Sequence, residues 1–309
     1  MERGSTILVD RKPLMVFLVL AFGISWPLFL LPLAFRAAAP DVQQLVTMVA
    51  WGVAMWGPGI GALVATRFTA GQSLRTLNLG RLGQKRIYLW AWLLPPVLGL
   101  LSGVSTVAFG IARVDTGLSL IRQSYEGLPG GLPLPLWVVV VVQILFSVTL
   151  APLFNTLFAL GEELGWRGFL LPRLEPLGQW KAILLSGAIW GSWHAPAVLQ
   201  GLNYPSAPVL GILMMVVGCM LLGTIFSWLY LRTRSPWAPA LAHGAFNAIA
   251  GISILFLTPF DTTWGGTPLS PAGWIGMALV VAWLAATRRL PVKQAIEAAT
   301  PVPAGPVHA

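Results

Sequence analysis

The sequence predicts an all-α, polytopic membrane protein of about eight transmembrane helices, and three observations carry that prediction. Of its 309 residues, 56% are hydrophobic and only 9% charged, whereas a soluble domain carries about 25% charged residues. Apolar runs of bilayer-crossing length recur along the chain. The basic residues gather in short loops beside those runs instead of forming one patch. Fifteen Trp, 33 Gly and 25 Pro fit the same class, because Trp anchors at bilayer interfaces and Gly and Pro are commoner in membrane helices than in soluble ones. The net charge of +9 therefore reads as a topology signal and not as a nucleic-acid surface. The lone Cys219 lies in an apolar segment, forms no intrachain disulfide, and reads as a packed thiol.

Runs of roughly 20 apolar residues fall at about 14–35, 45–66, 87–111, 135–173, 182–201, 208–231, 236–258 and 271–287. The first follows a polar stretch (residues 1–13) and has no small-residue cleavage site after it, so it is expected to be retained as a helix. The fourth is too long for one straight crossing. Pro152 is expected to bend or break it, since proline lacks a backbone donor and clashes with the preceding turn. Residues 288–309, rich in Ala and Pro, read as a disordered tail in which His308 has no evident task. The integral membrane domain is thus expected at 14–287. With both termini on one side, that side collects fifteen of the 19 Lys and Arg, and the other holds only Arg36, Arg113 and Arg122. Arg167 stands apart, inside a span. The positive-inside rule then places both termini in the cytoplasm of a multi-pass cell-membrane protein. An odd number of spans would spoil this segregation.

Charge inside the hydrocarbon layer costs several kcal/mol by most estimates, so it seldom persists without a partner and a task. The run Leu160-Gly161-Glu162-Glu163-Leu164-Gly165-Trp166-Arg167-Gly168 places three charges there. Glu163 and Arg167 stand four apart, the spacing of a same-face ion pair. Glu162 then points about 100° away and is free to act as a general base for water. A pair that only locks helix register is the bland alternative. His194 follows Trp190 by one turn, and standing alone it reads equally as an interhelical hydrogen-bond partner. His243 and Asn247 share a face and would either stabilise an oxyanion or bond neighbouring helices. Asn155 shares the face of Glu162 and reads as a packing hydrogen bond. Counted from Arg173, Lys181 and Arg234, Glu162, His194 and His243 lie at depths of roughly 16, 20 and 14 Å. Nothing in depth therefore keeps them apart.

These residues match a known pattern. Glu162-Glu163-x-x-x-Arg167, Trp190-x-x-x-His194 and His243-x-x-x-Asn247, in order on separate apolar segments, resemble the three-motif signature of the CPBP group. That group comprises the CAAX-prenyl-protease and bacteriocin-processing intramembrane proteases, also called the Abi family. The matching core covers about residues 136–257, and Trp190 stands where the eukaryotic pattern has Phe. The resemblance implies a core helix bundle of the type II CAAX endopeptidase kind and a peptide-bond hydrolase. Glu162 would activate water with help from His194, His243 and Asn247 would hold the oxyanion, and Glu163, Arg167 and Trp190 would shape the site. It also implies a membrane-embedded or lipidated peptide or protein as substrate, in maturation or in bacteriocin immunity. Some members are described as metalloproteases. Glu162, His194 and His243 would supply a His₂Glu zinc site, but no His-Glu-x-x-His is present, and a metal-free mechanism needing no cofactor is preferred. The site is expected to be reached from the cytoplasmic side. Two other classes compete: a proton-coupled transporter or channel using the same polar cluster as a relay, and a non-catalytic membrane scaffold. A transporter would show paired broken helices in an inverted repeat, and only one break is evident, at Pro152.

Overall fold

The computed structural model describes residues 10–126, 134–249, 251–259 and 261–292. The readings made for residues 1–9 and for the tail from 293, His308 included, lie outside the described residues. Helix α1 (Arg11–Leu30) runs on as a tighter turn to Phe35. α2 (Pro40–Ala54) breaks at Met55–Trp56 before α3 (Gly57–Val64), which widens into a π-turn at Ala65–Thr69. α4 (Ile87–Ala108), α5 (Ser119–Glu126) and α6 (Leu136–Thr149) follow. α7 (Ala151–Glu163) passes through a second π-helical stretch, Leu164–Leu170, into the single turn α8 (Leu171–Leu174). α9 (Gln179–Trp193) stops at His194 and resumes as α10 (Ala195–Val198). α11 (Pro208–Thr233), α12 (Trp237–Ile249) and α13 (Pro271–Ala286) complete the bundle. Strands β1 (Arg113–Val114) and β2 (Leu257–Thr258) pair antiparallel between two loops.

Prolines set several of these boundaries. Pro40, Pro208 and Pro271 open their helices at the position where a missing N–H costs nothing. Ser270 adds an N-cap, accepting from the Gly273 backbone N–H at 3.3 Å. Pro152 falls in the first turn of α7, and the α6–α7 pair is bent there by 42°, as the sequence leads one to expect.

Each of the eight apolar segments carries helix among the described residues, but length and apolarity do not treat them equally. Among the described residues five helical stretches are long and apolar enough to cross a bilayer, and a sixth counts if the bent α6–α7 pair is one span. α13 has 16 residues and α9 has 15 before its break. These two fall short of the roughly 20 residues a straight crossing needs, so the expected eight crossings rest on the charge segregation and not on helix length.

Hydrogen bonds tie the loops into two opposite ends. At one end Arg173 donates to the Gln72 side chain at 2.8 Å, Arg234 to Glu175 at 3.1 Å, Arg232 to Gln84 at 3.3 Å and Trp237 Nε1 to the Leu79 carbonyl at 2.8 Å. Val292 N–H joins the same end through Gln179 at 2.6 Å. At the other, Gln200 donates to the Phe29 carbonyl at 2.8 Å, Tyr204 to the Leu269 carbonyl at 2.8 Å, and Asp115 N–H to the Phe256 carbonyl at 2.8 Å. The first is the basic end; the second is the arginine-poor end.

Small residues let the helices around the centre touch backbone to backbone, the usual device where apolar surroundings offer no hydrophobic drive. A Cβ placed on Gly244 of α12 would stand 2.5 Å from the Thr156 nitrogen of α7, and one on Gly191 of α9 would stand 2.5 Å from Val216 Cα of α11. Gly244→Val is therefore expected to destabilise the fold by about 1–3 kcal/mol, read as a lower melting temperature in detergent. Gly23→Ala, where an added Cβ meets nothing within 4 Å, should not lower it.

Candidate active site

The last turn of α7 carries Glu162 and Glu163 side by side, and consecutive residues on a helix point about 100° apart. Glu163 turns into the protein. Its Oε1 accepts from Arg167 Nη1 at 2.8 Å and lies 2.9 Å from His243 Nδ1. The first contact is the ion pair expected from the spacing; the second was not expected. Arg167 sits within the π-helical stretch, all seven residues of which are buried. Its guanidinium carbon lies 4.3 Å from the centre of the Trp190 ring and 5.4 Å from that of Phe226. Desolvated cation–π contacts of this kind contribute on the order of 2 kcal/mol. The buried cation is thus matched by one carboxylate and covered by two aromatic faces.

Glu162 turns the other way. Trp190 Nε1 donates to its Oε2 at 2.6 Å, and the residue is only 2% exposed. The same tryptophan packs its ring 5.7 Å from the His194 ring and 5.4 Å from the His243 ring. His194 occupies the break between α9 and α10, where Pro196 prevents simple continuation of the ladder. Its Nδ1 lies 2.9 Å from the Trp190 carbonyl. A carbonyl only accepts, so Nδ1 bears the proton and Nε2 of the neutral ring keeps its lone pair. By the same reasoning His243 donates from Nδ1 to the Glu163 carboxylate, and its Nε2 is left for other partners.

Glu162, Trp190, His194, His243 and Asn247 line one cavity of about 730 Å³, together with Asn155 and Cys219. Three helices, α7, α9 and α12, therefore bring together the side chains singled out from sequence, at the common depth their spacing allowed. Glu163 and Arg167 lie behind the wall. Asn247, one turn above His243, is exposed to the cavity. The sequence held no direct sign of the Glu163–His243 contact or of the Trp190–Glu162 hydrogen bond. Matching depths were the only available hint.

The cavity opens sideways. Its exposed apolar walls are Met48, Val49 and Val53 of α2 and Phe158 of α7. Below them α3 closes against α7, where a Cβ on Gly161 would stand 2.7 Å from the Met55 carbonyl. Phe29, Leu202, Asn203, Thr267 and Leu269, all at the arginine-poor end, complete the upper wall. No described lining residue comes from the loops of the basic end. Toward that end, the approach side expected from the sequence, the stretch Leu164–Leu171 is buried beneath Glu162.

Zinc ligation by Glu162, His194 and His243 was the metal alternative. Each histidine keeps Nε2 free, as a zinc-bound imidazole with its other nitrogen engaged would, but among the described residues no three His, Cys, Asp or Glu side chains are grouped to hold a metal ion.

No curated protein matches the chain. Residues 135–249 match the family model described as Type II CAAX prenyl endopeptidase Rce1-like, a segment that includes α6 to α12 and every polar side chain placed around Trp190. Over that segment the chain is similar to the CAAX-type intramembrane proteases of the CPBP family.

Proposed function

We propose that this protein hydrolyses a peptide bond of a membrane-embedded or lipid-modified polypeptide with water activated by Glu162 and without a metal. The observation that carries the reading is the placement of one carboxylate, fixed by the Trp190 N–H, in the same cavity as two imidazoles whose Nδ1 atoms are both engaged. Trp190 occupies Oε2 and leaves Oε1 for a water molecule. Glu162 takes one proton as the water oxygen attacks the carbonyl carbon, and His194 Nε2 accepts the second hydrogen bond of that water. The carbonyl oxygen becomes an oxyanion. Asn247 Nδ2 and a protonated His243 Nε2 donate to it. Glu162 then returns its proton to the amide nitrogen, the C–N bond breaks, and a carboxylic acid and an amine leave.

Charge balance supports the protonated form of His243. Glu162 and Glu163 carry two negative charges in a desolvated region, and Arg167 supplies one positive charge. An imidazolium at His243, hydrogen-bonded to Glu163, brings the set to neutrality, and buried charges persist only when paired. The basic end of this multi-pass membrane protein faces the cytoplasm in this reading, by the positive-inside rule.

Glu162→Gln is expected to lower kcat by at least about 100-fold, the scale of lost general-base catalysis, while the protein still inserts and folds. Trp190→Phe keeps the ring but removes the donor to Glu162. A hydrogen bond to a charged group contributes about 1.5–3 kcal/mol, so cleavage should fall roughly 10- to 100-fold in a steady-state assay. Arg167→Met leaves the buried Glu163 with His243 as its remaining partner, and a broken buried pair costs about 3–5 kcal/mol. Thermal melting in detergent should show this as a loss of folded protein instead of a selective loss of rate. Exhaustive chelation should leave cleavage intact, and a loss restored by added zinc would refute the metal-free reading.

A further inference from the structure

The cavity belongs to one end of the molecule. Loop-to-loop hydrogen bonds fix which segments share each end without reference to any bilayer. The upper wall above Glu162 is drawn from the arginine-poor end: Phe29 near the end of α1, Asn203 after α10, Thr267 before α13. Exposure increases in the same direction, since His243 is buried and Asn247, one turn nearer that end, is exposed. Toward the basic end lie the buried stretch Leu164–Leu171 and the close crossing at Gly161, where an added Cβ would stand 2.7 Å from the Met55 carbonyl. The rim also bears unused polar capacity. The Thr267 hydroxyl is buried in the cavity wall with no hydrogen-bond partner among the described residues. A buried hydroxyl without a partner costs stability, and a polypeptide backbone supplies both donors and acceptors.

We propose that the substrate is a membrane-anchored polypeptide cut on its extracytoplasmic side, which enters from the arginine-poor half of the bilayer between α2 and α7 and is held by its backbone at Thr267 and Asn203. This rests on the peptidase reading above. The apolar walls Met48, Val49, Val53 and Phe158 receive the anchoring segment or lipid chain, and the backbone descends past Asn247 to Glu162. A prenylated C-terminus presented from the cytoplasm would meet the closed end instead.

Two experiments separate the orientation from the chemistry. In a Cys219→Ala background, Pro205→Cys and Arg81→Cys put single thiols at exposed positions of the two ends. A membrane-impermeant maleimide added to intact cells should label the first and not the second, and the reverse pattern overturns the proposal whatever the enzyme cleaves. Peptide mapping of membrane fractions from cells with wild-type and Glu162→Gln protein should then give Glu162-dependent cuts in extracytoplasmic flanks. Cuts confined to cytoplasmic flanks overturn the inference and leave the peptidase reading standing, while no Glu162-dependent cut removes both. With a mapped substrate, Thr267→Val should raise KM roughly 2- to 10-fold with kcat nearly unchanged, the scale of one neutral hydrogen bond. An unchanged KM removes Thr267 from the rim site.

Discussion

The buried contact among Glu163, Arg167 and His243 is the constraint on which the rest of the site depends. A carboxylate and a guanidinium, both essentially without solvent contact, persist inside an apolar bundle because each balances the other's charge. The contact reaches further than one helical turn. Glu163 also holds His243 of α12 at 2.9 Å, and Arg167 lies under Trp190 of α9. One ion pair on the α7 segment thus registers two other helices. Trp190 passes the constraint on to Glu162 through its N–H, so the position of the free carboxylate is fixed by a partner that is itself seated on the buried cation.

Backbone irregularity makes this geometry available. In a regular α-helix Arg167 would follow Glu163 by one standard turn; here the intervening stretch is π-helical, a form frequent at functional sites. The close approaches at Gly161, Gly191 and Gly244 then bring the helix backbones near enough for short polar side chains to meet across them. Larger residues at those points would push α7 from the α2–α3 junction, α9 from α11 and α12 from α7, and hydrogen bonds of 2.6–2.9 Å leave little room for that.

Much of this was legible in the sequence, for physical reasons that can be named. Charged residues are so costly in an apolar span that Glu162, Glu163 and Arg167 stood out by composition alone, and the i, i+4 rule assigned Glu163 to Arg167. Pro152 marked a bend because proline cannot complete the helical ladder. Which side chains touch across helices was not legible. Sequence gives the depth of His243 but not the rotation of α12, so its contact with Glu163 could not be separated from a contact with Glu162. The zinc option arose from that same ambiguity. The direction of the cavity was not legible for a similar reason: depth measured from Arg173 and Lys181 says how far Glu162 lies from one surface, not which side of it is filled.

Filling is decided by where the helices break. α2 ends at Ala54 and α3 starts at Gly57, at the level of Gly161 and just below the cavity, the two forming one span, Pro40–Thr69. α3 packs tightly on α1 and α7, whereas α2 packs on α1 and meets α7 at Gly52, where an added Cβ would stand 3.6 Å from the Phe158 ring. α9 likewise stops at His194, and the chain turns through α10 into the loop carrying Asn203. The break at Pro196 therefore does opposite work to the prolines that open α11 and α13. Those start helices at no cost to the ladder; this one interrupts a span, and the chain that follows carries Leu202 and Asn203 into the upper wall of the cavity, above a carboxylate held in place from below.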